Sequence, residues 1–287
     1  MADQANQLRQ EVKRRLHSGS SNRKTKVIAV TSGKGGVGKS NVSLNFALCL
    51  VALNKKVVIF DLDVGMANLD VLMGVTPKET IMTMLEKQLS LEAVVETGIN
   101  GLQYLAGGHG IGKILTLDGQ QLNHFFKEVG SLQGKVDYII LDTGAGLTYE
   151  GMRFLQAADD VFLVINPEPP SITDGYSVLK ALYEKNKQAS VKLIVNRSLT
   201  KEEAERTSLN FQKASVQFLN KSIDLLGAIP DDPFVRKAVI AQSPYLLEYP
   251  NSKAAKAIDE LVRSYLNLPS VYKLGVKGFL TKILFHK

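Results

Sequence analysis

The chain has 287 residues, 45% of them hydrophobic, and a formal net charge of +7. That size and apolar content suffice for one large α/β core, and the charge predicts anionic partners (nucleotide, acidic lipid or nucleic acid) without choosing among them. A single cysteine, Cys49, excludes an internal disulfide and a cluster held by several cysteines of one chain, so a reducing compartment is expected.

The first 24 residues are polar, with Leu8, Val12 and Leu16 at helical spacing among Arg9, Lys13, Arg14 and Arg15. This predicts a short amphipathic helix whose narrow apolar stripe leaves it either to fray or to dock on a partner. No signal peptide is expected, because the first apolar run follows this charged start, and no segment nears the roughly 20 continuous apolar residues of a membrane span. From Lys26 the pattern alternates apolar, β-branched runs (KVIAVTS, KVVIFDLD, GLQYLAG, VDYIILDT, DVFLVINP, VKLIVNR and DLLGAIP) with helical stretches. Most runs lack the alternation of a half-wet strand. They predict an α/β fold: a mostly parallel sheet covered by helices on both faces, with ligands outside the carboxyl ends of the strands.

The first run leads into SGKGGVGKSN, which matches strand–GxxxxGK[ST]–helix, a phosphate-binding loop from Gly33 to Ser40. Gly33, Gly35, Gly36 and Gly38 let the backbone wrap an anion, with Val37 between them, and the following helix adds its positive N-terminal end. Lys39 would neutralise β/γ-phosphates, and the Ser40 hydroxyl can ligate Mg²⁺. Downstream, one strand ends in Asp61 and Asp63, which share a face while the chain is extended, and another ends in Asp142, followed by Gly144, Ala145 and Gly146. A carboxylate after an apolar strand beside such a loop is placed to hold Mg²⁺. No Thr/Ser-Lys-x-Asp guanine signature follows any strand, so ATP is expected rather than GTP.

After Pro230 the chain reads as helical to a stop at Pro269, and a distinct tail follows. SVYKLGVKGFLTKILFHK contains four lysines and no acid, with Tyr272, Val276, Phe279, Leu280, Ile283 and Leu284 on one helical stripe flanked by Lys273, Lys277 and Lys282. Such a helix suits the headgroup plane of an anionic membrane; a terminal helix packed on the domain is the other reading.

The extra lysine in KGGVGKS, Lys34, makes the chain resemble the deviant Walker A ATPases, the family of MinD, ParA and the nitrogenase iron protein. The resemblance spans about residues 25–285. It implies that Lys34 reaches across a two-fold interface to the nucleotide of a second subunit, giving an ATP-dependent homodimer. It assigns Asp63 to the attacking water and Asp142 to the Mg²⁺ shell, with Asp61 supporting metal and loop, and the Gly144–Gly146 loop as the γ-phosphate switch. It further implies that Asn196 contacts adenine and that Pro230, Asp231 and Val235 line the base pocket. Arg197 serves there or in a structural ion pair. Asn41, after Ser40, departs from the family's usual Thr-Thr and puts contacts near the α-phosphate in question. An electron-transfer iron protein needs cluster cysteines, and Cys49 is alone.

DVGMANLD, LDTGAGL and the tail look closest to the MinD–FlhG branch, and Asp3-Gln4-Ala5-Asn6-Gln7-Leu8-Arg9 resembles the DQAxxLR motif of the FlhG family, which controls flagellar number and placement. That implies three parts: residues 1–24 activating an FlhF-like GTPase through Gln4, Leu8 and Arg9, an ATPase domain over 25–268, and a membrane-targeting helix over 269–287. Flagellar C-ring components would be further partners. The expected location is cytoplasmic, reversibly peripheral on the inner face of the cell membrane. A MinD-type division ATPase shares these features except the N-terminal motif. A ParA-like DNA binder fits the net charge, but the apolar tail argues against nucleic acid.

Overall fold

A computed structural model describes residues 24–63, 68–107 and 119–271. Their eight-stranded sheet runs in the order β3-β4-β2-β5-β1-β6-β7-β8. Its strands are β1 (Lys26–Thr31), β2 (Val57–Leu62), β3 (Glu96–Thr97), β4 (Gln103–Leu105), β5 (Tyr138–Thr143), β6 (Asp160–Ile165), β7 (Val191–Ser198) and β8 (Asp224–Pro230). The seven runs expected from the sequence are all strands, and every pairing among them is parallel. The addition is β3, two residues antiparallel to β4 at the sheet edge.

The central strands are apolar on both faces because both faces are covered. In β1, Ile28 and Val30 face one core while Ala29 faces the other, the two-residue period of a strand. The helix after the loop, α1 (Lys39–Ala52), is buried at every position from Val42 to Leu50. It lies between the sheet and the last described helix, so it is buried all round rather than amphipathic, its apolar run broken by the buried Ser43 and Asn45. The other helices are α2 (Leu69–Met73), α3 (Ile81–Glu86), α4 (Leu91–Val94), α5 (Gly119–Gly130), α6 (Tyr149–Ala157), α7 (Pro169–Lys185), α8 (Lys201–Leu219), α9 (Pro233–Ile240), α10 (Tyr245–Glu248) and α11 (Lys253–Tyr265). Helices α1, α2, α10 and α11 share one core, and α3, α4, α7 and α8 share the other.

The end of α11 is tied to the sheet. Phe46, Phe162 and Tyr265 meet edge-to-face at 5.1–5.6 Å, each pair adding about 0.5–1.5 kcal/mol beyond its buried area. The Tyr265 hydroxyl donates to Asp160 at 2.8 Å. Among the described residues no helix is long and apolar enough to cross a membrane.

From β1 the chain crosses over β5 to β2, and from β5 it later crosses over β1 to β6, so the direction of winding reverses here and the carboxyl ends of β2, β5 and β1 lie side by side. Asp61 and Asp142 are register partners there, on neighbouring parallel strands, so their side chains share a face.

Candidate active site

The loop from Gly33 to Ser40 joins β1 to α1. Gly33 lies so close to the backbone of Asp174 and Gly175 in α7 that a Cβ would collide with it. The carbonyl of Ser32 accepts from Gly146 N–H at 2.8 Å, joining the predicted switch loop to the phosphate loop. At the far side of the loop Gly38 has φ 92°, a left-handed conformation, and caps α1 with its backbone.

Lys39 is 6% exposed, with its Nζ 3.1 Å from Asp142 Oδ1 and 3.5 Å from Asp63 Oδ2. Burial alone would lower its pKa; the charges of Asp142 and Asp63 outweigh that and hold it above the ordinary lysine value. Ser43, one helical turn on, sits 2.9 Å from the same Asp142 Oδ1 and 3.1 Å from the Lys39 carbonyl. Among the described residues, the second carboxyl oxygen of Asp142 is buried with no hydrogen-bond partner. A carboxyl oxygen left bare at this depth is costly, and it fits a cation or a cation-bound water; Mg²⁺ prefers oxygen ligands of this kind.

Asp61 differs. Its Oδ1 accepts from Asp63 N–H at 3.1 Å, and its Oδ2 from Asn68 and Leu69 N–H at 3.0 and 3.2 Å. Both oxygens are therefore engaged in closing the loop after β2. Burial and the neighbouring Asp142 charge push its pKa up to about 6, against the pull of those amides. Asp63 is less enclosed, and burial raises its pKa more than Lys39 lowers it. Lys34 points to the outside of the loop and pairs with Glu168 at 2.6 Å; its hydrogen bond and charge hold the Glu168 carboxyl below the usual range.

A cavity of ≈ 630 Å³ opens beside the loop. Gly38, Asn41, Asn196, Arg197, Pro230, Asp231 and Val235 line it, so every residue predicted for the base pocket is there. Arg197 is exposed in a left-handed conformation (φ 57°) at a register shift between β7 and β8, and its charge acts on Glu168. The Asn196 amide nitrogen is already engaged, donating to Val37 O at 2.7 Å.

The sequence reading missed Ser43, Asn166 and Glu168, which reach the loop or its acids. Ser43 had a signal in its one-turn spacing from Lys39, but Asn166 and Glu168 needed the strand order. The predicted partner residues Gln4, Leu8 and Arg9, and the tail residues Val276, Lys277, Phe279, Leu280, Lys282, Ile283 and Leu284, lie outside the described residues.

With this geometry established, known proteins supply the lineage. The family model for ParA, described as NUBPL iron-transfer P-loop NTPase, matches residues 23–266. The chain belongs to the ParA family of P-loop NTPases. This ParA-family chain is an ATPase. It is 34% identical to the antiactivator FleN of Pseudomonas aeruginosa, covering 91% of this chain and 94% of that protein. It is also 34% identical to the flagellum site-determining protein YlxH of Helicobacter pylori, over 91% and 90%. Among solved structures, the septum site-determining protein MinD of Pyrococcus horikoshii in complex with Mg-ADP aligns with a TM-score of 0.70 at 28% identity, over 84% of this chain and 96% of that one.

Proposed function

We propose that this ATPase is a nucleotide-driven dimerising switch that regulates flagellar number and placement. The observation that carries the reading is the division of labour between two lysines. Lys39 is buried against Asp63 and Asp142, committed to its own nucleotide, whereas Lys34 lies outside the loop in a half-exposed pair with Glu168. A solvent-facing ion pair of this kind is worth little. Lys34 can therefore leave Glu168 for a phosphate on a second copy of the chain.

Within one site, the loop amides and Lys39 bind and orient the β- and γ-phosphates, and Asp63 holds the attacking water in line. Ser40 and Asp142 would hold Mg²⁺, Asp142 through its unpartnered oxygen. When bound, Mg²⁺ would supply charge neutralisation for the phosphate oxygens at these residues. Asp61 keeps the loop after β2 in place. Asn196, Pro230, Asp231 and Val235 seat the adenine, with the Asn196 carbonyl oxygen left to accept from its amine.

The flagellar role follows the likeness to YlxH and the DQAxxLR-like N-terminus. Residues 1–24 would stimulate an FlhF-like GTPase, C-ring components would be further partners, and residues 269–287 would bind anionic membrane when ATP pairs two tails. One experiment separates these parts: light scattering and liposome sedimentation of the full chain with ATP or ADP, beside Lys34→Ala and a chain lacking residues 270–287. The expected result is an ATP-dependent dimer that sediments with anionic liposomes, a monomer for Lys34→Ala, and a dimer without liposome binding for the truncation. A dimer from Lys34→Ala would refute the cross-subunit role. A MinD-type division role would instead leave FlhF-like GTP hydrolysis unchanged when a peptide of residues 1–24 is added.

A further inference from the structure

Two asparagine side chains from outside the phosphate loop, Asn196 in β7 and Asn166 just past β6, face the main-chain carbonyl of Val37. Asn196, in β7, donates its amide nitrogen to Val37 O at 2.7 Å. Asn166, one residue past β6, faces two carbonyl oxygens with one end of its amide; with nitrogen at that end it donates to Val37 O at 3.1 Å and to the Asn196 main-chain oxygen at 3.2 Å. Asn166 is itself fixed, being 3% exposed and donating its main-chain N–H to the Ser171 hydroxyl at 2.9 Å.

We propose that Asn166 is a positioning residue for phosphate binding: with Asn196 it holds the Val37–Gly38 peptide so that the Gly38 N–H faces the nucleotide. The peptide is trans, like the others among the described residues, and a trans peptide carries its C=O and N–H on opposite sides. Two donors drawing the Val37 carbonyl toward β6 and β7 therefore turn the Gly38 N–H the other way, into the hollow beside Lys39. A glycine-flanked peptide is otherwise free to flip, and a flip would present a carbonyl to an anion in place of a donor. Gly38 and Asn196 are fitted to each other as well, since a Cβ on Gly38 would collide with the Asn196 amide. Losing one hydrogen bond to a buried acceptor shifts such an equilibrium by about tenfold.

The inference rests on the loop as the phosphate site and not on dimerisation or membrane binding, so it can fail while the switch stands. The test is calorimetry of the full chain with Mg²⁺, using ADP and inosine diphosphate, which differ at the base. Asn166→Leu keeps the branched shape and the number of heavy atoms, with somewhat greater bulk, and removes the donor. It is expected to weaken both ligands by the same factor, about tenfold, leaving their ratio as in the unaltered chain. Unchanged ADP affinity would overturn the proposal; so would a collapse of the ADP preference, which would make Asn166 a reader of the base. Asn166→Asp keeps the test open if the leucine variant does not fold. Its carboxyl donates only when protonated, so ADP affinity relative to the unaltered chain should be lowest near pH 8 and recover as pH falls. A deficit that does not change with pH would also count against the clamp.

Discussion

At the carboxyl end of the sheet, Asp63 and Asp142 face one buried ammonium with the Asp61 charge close by, and among the described residues an oxygen of Asp142 is left without a partner. At the opposite end Asp160, equally buried, receives the Lys26 ammonium at 2.6 Å, the Ser190 hydroxyl at 2.6 Å and the Tyr265 hydroxyl at 2.8 Å. Their titration differs accordingly. Burial works against the ionised Asp160, but three donors overcome it and lower its pKa, whereas burial prevails at Asp61 and Asp63 and raises theirs. One end of the sheet is satisfied and holds the fold together. The other carries anionic strain that a cation and a phosphate would relieve, a common arrangement where pKa values serve chemistry.

The largest expected effect comes from removing the cation of the strained end. Lys39→Ala leaves Asp63 and Asp142 facing each other without a counter-charge and should cost about 3–5 kcal/mol in urea unfolding. Phosphate release should fall on the order of 10²–10³-fold. Next is the satisfied end. Asp160→Asn should cost about 2–3 kcal/mol at pH 7 while hydrolysis per folded molecule stays unchanged. Asp160 has a depressed folded pKa, so its contribution is present above the ordinary value of 3.8 and is lost as pH falls through the folded value. Denaturation at a series of acid pH values should therefore show the gap between variant and parent closing.

A smaller effect of opposite sign is expected at Asp63. Its folded pKa is raised, so its ionised form costs stability above that pKa, and the cost eases as pH falls. Asp63→Asn should unfold at equal or higher urea, by up to about 1 kcal/mol, although phosphate release drops on the order of 100-fold. A clear loss of stability would place Asp63 with Asp160 and dissolve the contrast. Smallest of all, Glu168→Gln breaks only the exposed pair with Lys34. The unfolding midpoint should not move; a measurable shift would show that the pair is structural.

The amino-acid sequence by itself determined the phosphate loop, the seven main strands and the carboxylates at their ends. A phosphate loop acts through consecutive backbone N–H groups, and strands buried on both faces write themselves as unbroken apolar runs, so both are local properties. Asp61 was legible as a strand-end acid, but its role in closing the loop was not, because it depends on the path of the chain through Asn68 and Leu69. Two-residue β3 carries too little pattern to be read. Tertiary structure alone decided the rest: Asn166 and Asn196 meet Val37 from more than a hundred residues away, and Asp160 meets Tyr265 across 105. Those contacts exist because β1 lies between β5 and β6 with β7 beyond. Strand order arises from the packing of both faces at once, and no window of sequence contains it.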